Sequence, residues 1–366
     1  MEKEKIALFI PTLEVGGAEK VTLNIANEIS NRGYSVDLVL VKAKGEYMEN
    51  VGGNVRVVDL NSKSAMMSIK QLVKYLKENK PIAMISAIEN CNVAALIAKK
   101  FACVETKIVV TIHTTLSRIL KDVDDIKVKL NMILQKKLYK NAYNIIAVSK
   151  ATADDASKVL NIPRDRINVI YNPIINEYLL NNSKMEVESK FFNNGNYINI
   201  LSVGRLTDAK SFDTLIKAFN IVLCEMKNVR LTIIGEGNKR QELKELSKNL
   251  KIEQYIDMPG FKTNPYAYMS KCDVFVLSSK WEGLPSVIIE AMACGAKIVS
   301  TDCKSGPREI LEDGKYGKLC PVGDEKKLAE MIIESLNDKT NIVDIDTHLK
   351  KFSFDKIIDE YINSIN

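Results

Sequence analysis

Apolar positions along the chain fall into two alternating rhythms. Short β-rich runs at 6–11, 35–41, 55–60, 82–88, 107–112, 145–148 and 168–171 are separated mostly by stretches with apolar residues at helical spacing. In the helix predicted over 18–32, Leu23, Ile25, Ala26 and Ile29 share the buried side, and Gly33 ends it. Strands alternating with helices predict a parallel sheet covered on both faces.

The rhythm breaks at Asn172-Pro173, and 176–196 is Asn-rich and weakly apolar, which predicts a linker or edge excursion. Strands resume at 198–203, 230–234, 273–277 and 297–300, with helices expected at 212–226, 239–249 and 326–336. The expected class is α/β, with two doubly wound domains at 1–175 and 176–350. An amphipathic C-terminal helix at 351–366 could pack back on either half, the N-terminal domain included.

With 366 residues the chain is long enough for two cores, and 46% apolar and 27% charged residues are globular values. No apolar run is long enough to span a bilayer, and MEKEKIALFI lacks a signal peptide's apolar core, so a cytoplasmic location is expected. Seven cysteines without a Cys-x-x-Cys pair read as core hydrophobes in a reducing compartment, and two histidines offer little for a metal site. A net charge of +6 suits anionic substrates or an anionic membrane surface, and no motif points to nucleic acid.

In open parallel sheets ligands bind beyond the carboxyl ends of strands, so the candidate chemistry is read at strand-to-helix junctions. The stretch SSKWEGLPSVIIEAMACGAKIVS predicts strand, loop, a short buried helix over 287–292, and strand. Pro285 suits the first helical position and Gly295 the stop. Glu290 interrupts an otherwise apolar helix and needs a partner, while Glu282 lies in the preceding loop beside Gly283 and the free first-turn amides. Arg205 and Lys210, five apart after the strand 198–203, could both reach a diphosphate. Gly16 and Gly17 open the first helix, His113 ends the strand 107–112, and GEG at 235–237 and the turn PGF at 259–261 line the second sheet's edge.

Taken together, GGAE, His113, VSK at 148–150, Asn172-Pro173, G-R-L-x-x-x-K with F-x-x-L-I-x-A-F, and glutamates eight apart in E-G-L-P…E-A-M-A-C-G resemble the retaining family 4 glycosyltransferases. The resemblance covers nearly the whole chain and implies the GT-B architecture, two facing Rossmann-like domains with an interdomain cleft. It implies that Arg205 and Lys210 hold the diphosphate of a nucleotide-sugar donor, UDP-linked by expectation, and Glu290 the ribose. Glu282 would hold the donor sugar with the backbone of Gly283 and Leu284, Gly16 and Gly17 would approach the phosphates, His113 would contact the sugar near the reacting carbon, and Phe261 would frame the base. Glu282 and His113 are the candidate catalytic residues, and no metal or other cofactor is expected. Ser211 departs from the pattern, standing where the family commonly has Gly.

SGPREIL at 305–311 resembles enzymes that extend polyprenyl-diphosphate-linked saccharides for capsules, O-antigens or protein glycosylation. In 126–140, Ile126, Leu130, Ile133, Leu134 and Leu138 share a helix face, and Lys127, Lys129, Lys136, Lys137 and Lys140 could rest on anionic headgroups; a core-packed helix with a solvated basic face reads equally well. A transferase with a soluble acceptor, a nucleotide-sugar epimerase and a non-catalytic subunit of the same fold stay open as alternatives.

Overall fold

A computed structural model describes residues 3–14, 16–122, 126–187, 189–192, 195–338 and 344–366. The chain divides into two compact units, residues 1–173 with 354–366, and residues 174–353.

The first unit holds seven parallel strands: β1 (Lys5–Ile10), β2 (Ser35–Leu40), β3 (Val55–Asp59), β4 (Ala83–Ala87), β5 (Lys107–Ile112), β6 (Asn144–Ala147) and β7 (Ile167–Val169), ordered β3-β2-β1-β4-β5-β6-β7. The order reverses between β1 and β4. The strands are apolar on both sides because one face packs on a core with Leu72, Val93 and Ala153, and the other on a core with Ile25, Ile29 and Ile357. The C-terminal helix Phe354–Asn363 belongs to this second core, burying Ile357, Ile358 and Tyr361. Arg32 fixes its outer side, 2.5 Å from Asp359 and 2.9 Å from Asp355.

The second unit holds β8 (Ile198–Val203), β9 (Val229–Ile234), β10 (Ile256–Gly260), β11 (Val274–Leu277), β12 (Lys297–Thr301) and β13 (Lys318–Cys320), ordered β10-β9-β8-β11-β12-β13, all parallel, reversing between β8 and β11. The two edge strands, β10 and β13, were not expected. β10 contains Pro259 and a register shift between Asp257 and Gly260, a strand tolerated only at an edge, so its sequence reads as a turn.

The expected linker also differs. Asn176 caps a helix, Glu177–Asn182, its side chain accepting from Leu179 N at 2.9 Å, and Val187 and Phe191 are buried. Asparagine here is a cap, not a sign of looseness. The cysteines divide as well: Cys91, Cys303 and Cys320 are buried, Cys272 and Cys294 half-buried, and Cys103 and Cys224 exposed. Among the described residues no helix is long and apolar enough to cross a membrane.

Tyr361 is fully buried among the apolar residues that join the C-terminal helix to the first unit. Tyr361→Ala should cost about 3–5 kcal/mol in urea unfolding, and Tyr361→Phe less than about 1 kcal/mol. Equal losses in the two variants would show that the hydroxyl, not the ring, does the anchoring.

Candidate functional site

The reversal between β8 and β11 sends their carboxyl-end loops to opposite faces and leaves a crevice between them, where a ligand can enter such a sheet. Both loops carry predicted site residues. Ser278 Oγ donates to Lys210 O at 2.8 Å and Lys280 N to Ala209 O at 2.8 Å, so one side-chain bond and one backbone bond tie the loops together. Across this seam Lys210 Nζ lies 2.5 Å from Glu282 Oε1. Ser279 Oγ donates to the same oxygen at 2.6 Å, and Ser279 O accepts from Thr301 Oγ1 at 2.6 Å, which pins the loop to β12.

Among the described residues Glu282 therefore takes both bonds on one oxygen and keeps Oε2 as an acceptor. Lys210 keeps two of its three donors. With side-chain exposures of 19% and 12%, the pair is screened less than a surface ion pair. Cys303 lies close enough for Glu282 to add to the effect of burial, which pushes the thiol up to about 12 and keeps it protonated.

The short helix runs Ser286–Ala293, with Pro285 in the cap position just before it, and Gly295, at φ 86, closes it. Ile288, Ile289, Ala291 and Met292 are buried, as the apolar run requires. Glu290 is half-buried instead of enclosed, so it meets solvent on one side. The N–H groups of Gly283 and buried Leu284 have no acceptor among the described residues, which leaves two amides open beside the pair.

Arg205 is exposed at the end of β8, in the loop that holds Lys210, and its side chain has no hydrogen bond among the described residues. Phe261 stands apart. It is 72% exposed at the end of the edge strand β10, with β9 between that strand and β8. The GEG junction packs tightly, since a Cβ on Gly235, at φ 142, would collide with Gly204 O. Ser211 caps the helix Phe212–Glu225 with left-handed backbone at φ 48, which explains why glycine suits that position. Its hydroxyl lies 2.9 Å from Thr214 Oγ1.

In the first unit the carboxyl edge carries its own group. Gly16 has ordinary extended backbone and Gly17 begins the helix Gly17–Asn31. A Cβ on Gly16 would strike the Glu19 carboxylate, whereas one on Gly17 would meet nothing. His113 is half-buried just past β5, with Nε2 2.9 Å from Thr111 Oγ1. The Thr111 hydroxyl already donates to Ser86 O at 2.9 Å, so it accepts from Nε2–H. The imidazole is thus set as the Nε2–H tautomer with Nδ1 as an acceptor. Burial lowers its pKa to about 4, so it is neutral near pH 7.

Sequence reading passed over several members of these groups. Ser278, Ser279 and Thr301 hold the loops, and no spacing rule identifies a hydroxyl whose partner is distant in sequence. At the junction after β4, Ile88 has φ 73, a strained backbone for a β-branched residue, and the following Glu89 is half-buried with its pKa raised by burial. A carboxylate at a strand-to-helix junction was a legible signal there. Gly306, at φ 99, is a third case: a Cβ would strike Pro285 and lie 3.0 Å from Gly283 O. Among the described residues no group of three or more His, Cys, Asp or Glu could hold a metal ion.

Two parallel-sheet α/β domains are the fold of the GT-B architecture, and solved structures of that architecture match this fold. Anabaena HepE in complex with UDP matches with a TM-score of 0.80 at 20% identity, covering 99% of both chains. The family description "Glycosyltransferase Family 4" matches residues 15–177, and "Glycosyl transferases group 1" matches residues 183–352. A Campylobacter jejuni N-acetylgalactosamine-N,N'-diacetylbacillosaminyl-diphospho-undecaprenol 4-alpha-N-acetylgalactosaminyltransferase is 30% identical over 346 residues, covering 92% of this chain and 91% of its own. The amylovoran biosynthesis glycosyltransferase AmsD of Erwinia amylovora is 25% identical, covering 82% of this chain and 81% of its own. The chain belongs to the family 4 glycosyltransferases, and it is a glycosyltransferase enzyme.

Two measurements follow from this geometry. Gly306→Ala should cost about 1–3 kcal/mol of stability, because both the positive φ and the contact with Pro285 oppose a side chain; a loss under about 0.5 kcal/mol would mean that the turn relaxes freely. His113 titrates near 6.5 unfolded and near 4 folded, so between those values the unfolded chain binds more protons. Its contribution to stability is complete above the upper value and is lost as pH falls toward the lower one. The urea midpoint of His113→Gln should therefore change less than that of wild type between about pH 4.5 and 6.5.

Proposed function

We propose that this enzyme transfers a sugar, with retention at the anomeric carbon, from a UDP-sugar to a polyprenyl-diphosphate-linked saccharide in the assembly of a bacterial surface polysaccharide or glycan. The observation that carries the reading is the Lys210–Glu282 pair at the β8/β11 reversal, with donors left on one partner and an acceptor on the other. Lys210 and Arg205 take the diphosphate, the second by its planar fork. Glu282 Oε2 and the amides of Gly283 and Leu284 take sugar hydroxyls, Glu290 takes the ribose, and Phe261 frames the base. In the first unit, the glycine pair gives a bare approach for phosphate, and neutral His113 accepts a sugar hydroxyl at Nδ1.

The chemistry asks little of the protein beyond charge placement. The acceptor oxygen bonds to the anomeric carbon on the face that the diphosphate leaves, and its proton passes to the departing phosphate oxygen. Lys210, Arg205 and the open amides stabilise the charge that develops there. The acceptor class is supported by the Campylobacter jejuni relative, whose name specifies an undecaprenol-diphosphate-linked substrate.

The test is nucleotide release from a panel of UDP-, GDP- and ADP-sugars, with and without bacterial lipid extract. Release from one UDP-sugar, increased by the extract, is the expected result. Charge-assisted hydrogen bonds contribute about 1.5–3 kcal/mol, so Lys210→Ala should lower turnover by roughly one to two orders of magnitude, and Glu290→Ala should weaken UDP binding. An unchanged rate in Lys210→Ala removes the phosphate assignment. Release stimulated only by a water-soluble saccharide replaces the lipid-linked acceptor with a soluble one.

A further inference from the structure

In the first unit one half-buried carboxylate has no part in the reaction described above. Glu89 opens the helix Glu89–Ala102 after β4, at the reversal between β1 and β4 where a ligand can enter the sheet. Among the described residues no other side chain bonds to it, and its own backbone N–H is the donor it meets.

Strand register fixes where Glu89 stands. β4 and β5 are neighbours, Ala87 pairs with Thr111, and Glu89 and His113 each follow that pair by two residues. Both therefore lie past the carboxyl ends of adjacent strands, which run about 4.8 Å apart. Asn92, one turn behind Glu89 on the same side of the helix, anchors it there: Nδ2 donates to Thr111 O and to Tyr139 Oη, both at 2.9 Å. Asn92 Oδ1 is fully buried and has no hydrogen-bond partner among the described residues. Every side-chain donor of Asn92 and His113 is thus engaged, while Asn92 Oδ1, His113 Nδ1 and the Glu89 carboxylate remain as acceptors. Such a group suits a ligand that brings hydroxyl or amide N–H groups, and the carboxylate disfavours a phosphate.

The strand order β1-β4-β5 sets Glu89 between Gly16 and Gly17, which follow β1, and His113, which follows β5. In the function proposed above, the glycines approach the donor phosphates and His113 meets the sugar. An acceptor attacking from the face that the diphosphate leaves enters between those two points. We propose that Glu89 is a specificity-determining residue for the acceptor: its carboxylate takes a hydrogen bond from a hydroxyl or acetamido N–H of the acceptor sugar and so selects which neighbouring hydroxyl attacks. No proton moves to Glu89; that of the attacking hydroxyl still passes to the departing phosphate oxygen. This role rests on the reading above of the glycine pair and His113, and not on whether the acceptor saccharide carries a lipid.

The experiment follows UDP-sugar turnover by the full chain against increasing bacterial lipid extract, and in parallel against methyl glycosides of glucose, galactose and their 2-acetamido analogues. Whichever probe stimulates wild type is used for the variants. Loss of a charge-assisted hydrogen bond should raise the half-saturating amount of acceptor roughly ten- to a hundredfold in Glu89→Ala. Glu89→Gln, which keeps one oxygen in place, should raise it less. The thermal shift with UDP should match wild type in both variants, which separates the result from folding and from donor binding. If a methyl glycoside alone stimulates wild type, the lipid is removed from the acceptor reading, and the same rise in the variants with that glycoside still supports the role of Glu89. An unchanged half-saturating amount of acceptor, a rise confined to that of the UDP-sugar, a UDP shift lost in Glu89→Gln, or wild type stimulated by no probe would each overturn the proposal.

Discussion

A parallel sheet whose strand order reverses must send two neighbouring loops to opposite faces, and in the second unit the Lys210–Glu282 pair spans the gap that this creates. The rest of the site depends on that contact. Ser278 and Ser279 hold the loops at the spacing the pair requires, Thr301 ties them to the next strand, and Gly306 admits Pro285 and Gly283 beside it. A partly desolvated charge left without its partner is costly, so neither residue is free to vary alone.

Backbone strain is distributed unevenly. Positive φ at Lys80, Cys103 and Asn161 marks ordinary left-handed helix ends. Ile88, Ser211, Gly235 and Gly306 differ, because each follows a strand at its carboxyl end or lies in the loop beyond it. Ile88 and Ser211 adopt such backbone without being glycine, and they stand at the edges where the proposed substrates are handled. Binding sites concentrate strain of this kind because the surrounding sheet can hold it.

Much of the architecture was legible because a strand buried on both faces has no polar side to disguise it. β1, β2, β4, β5, β8 and β11 read directly as apolar runs. The edge strands β10 and β13 did not, since a strand paired on one side needs fewer apolar residues and tolerates Pro259. Asn176 misled for a related reason: the same side chain serves loops and helix caps, and only its neighbours decide which.

The residue types of the site, two cations after β8 and two glutamates flanking a glycine-bearing helix start, were determined by the sequence alone, because their spacing is local. The tertiary structure decided what joins them. It set Lys210 on Glu282 across a gap of 72 residues, fixed the His113 tautomer through Thr111 and Ser86, and divided the aliphatic residues of the helix Ile126–Leu138 between core and surface. Each of these turns on which neighbour a side chain meets, and that follows from strand order, which local periodicity does not encode.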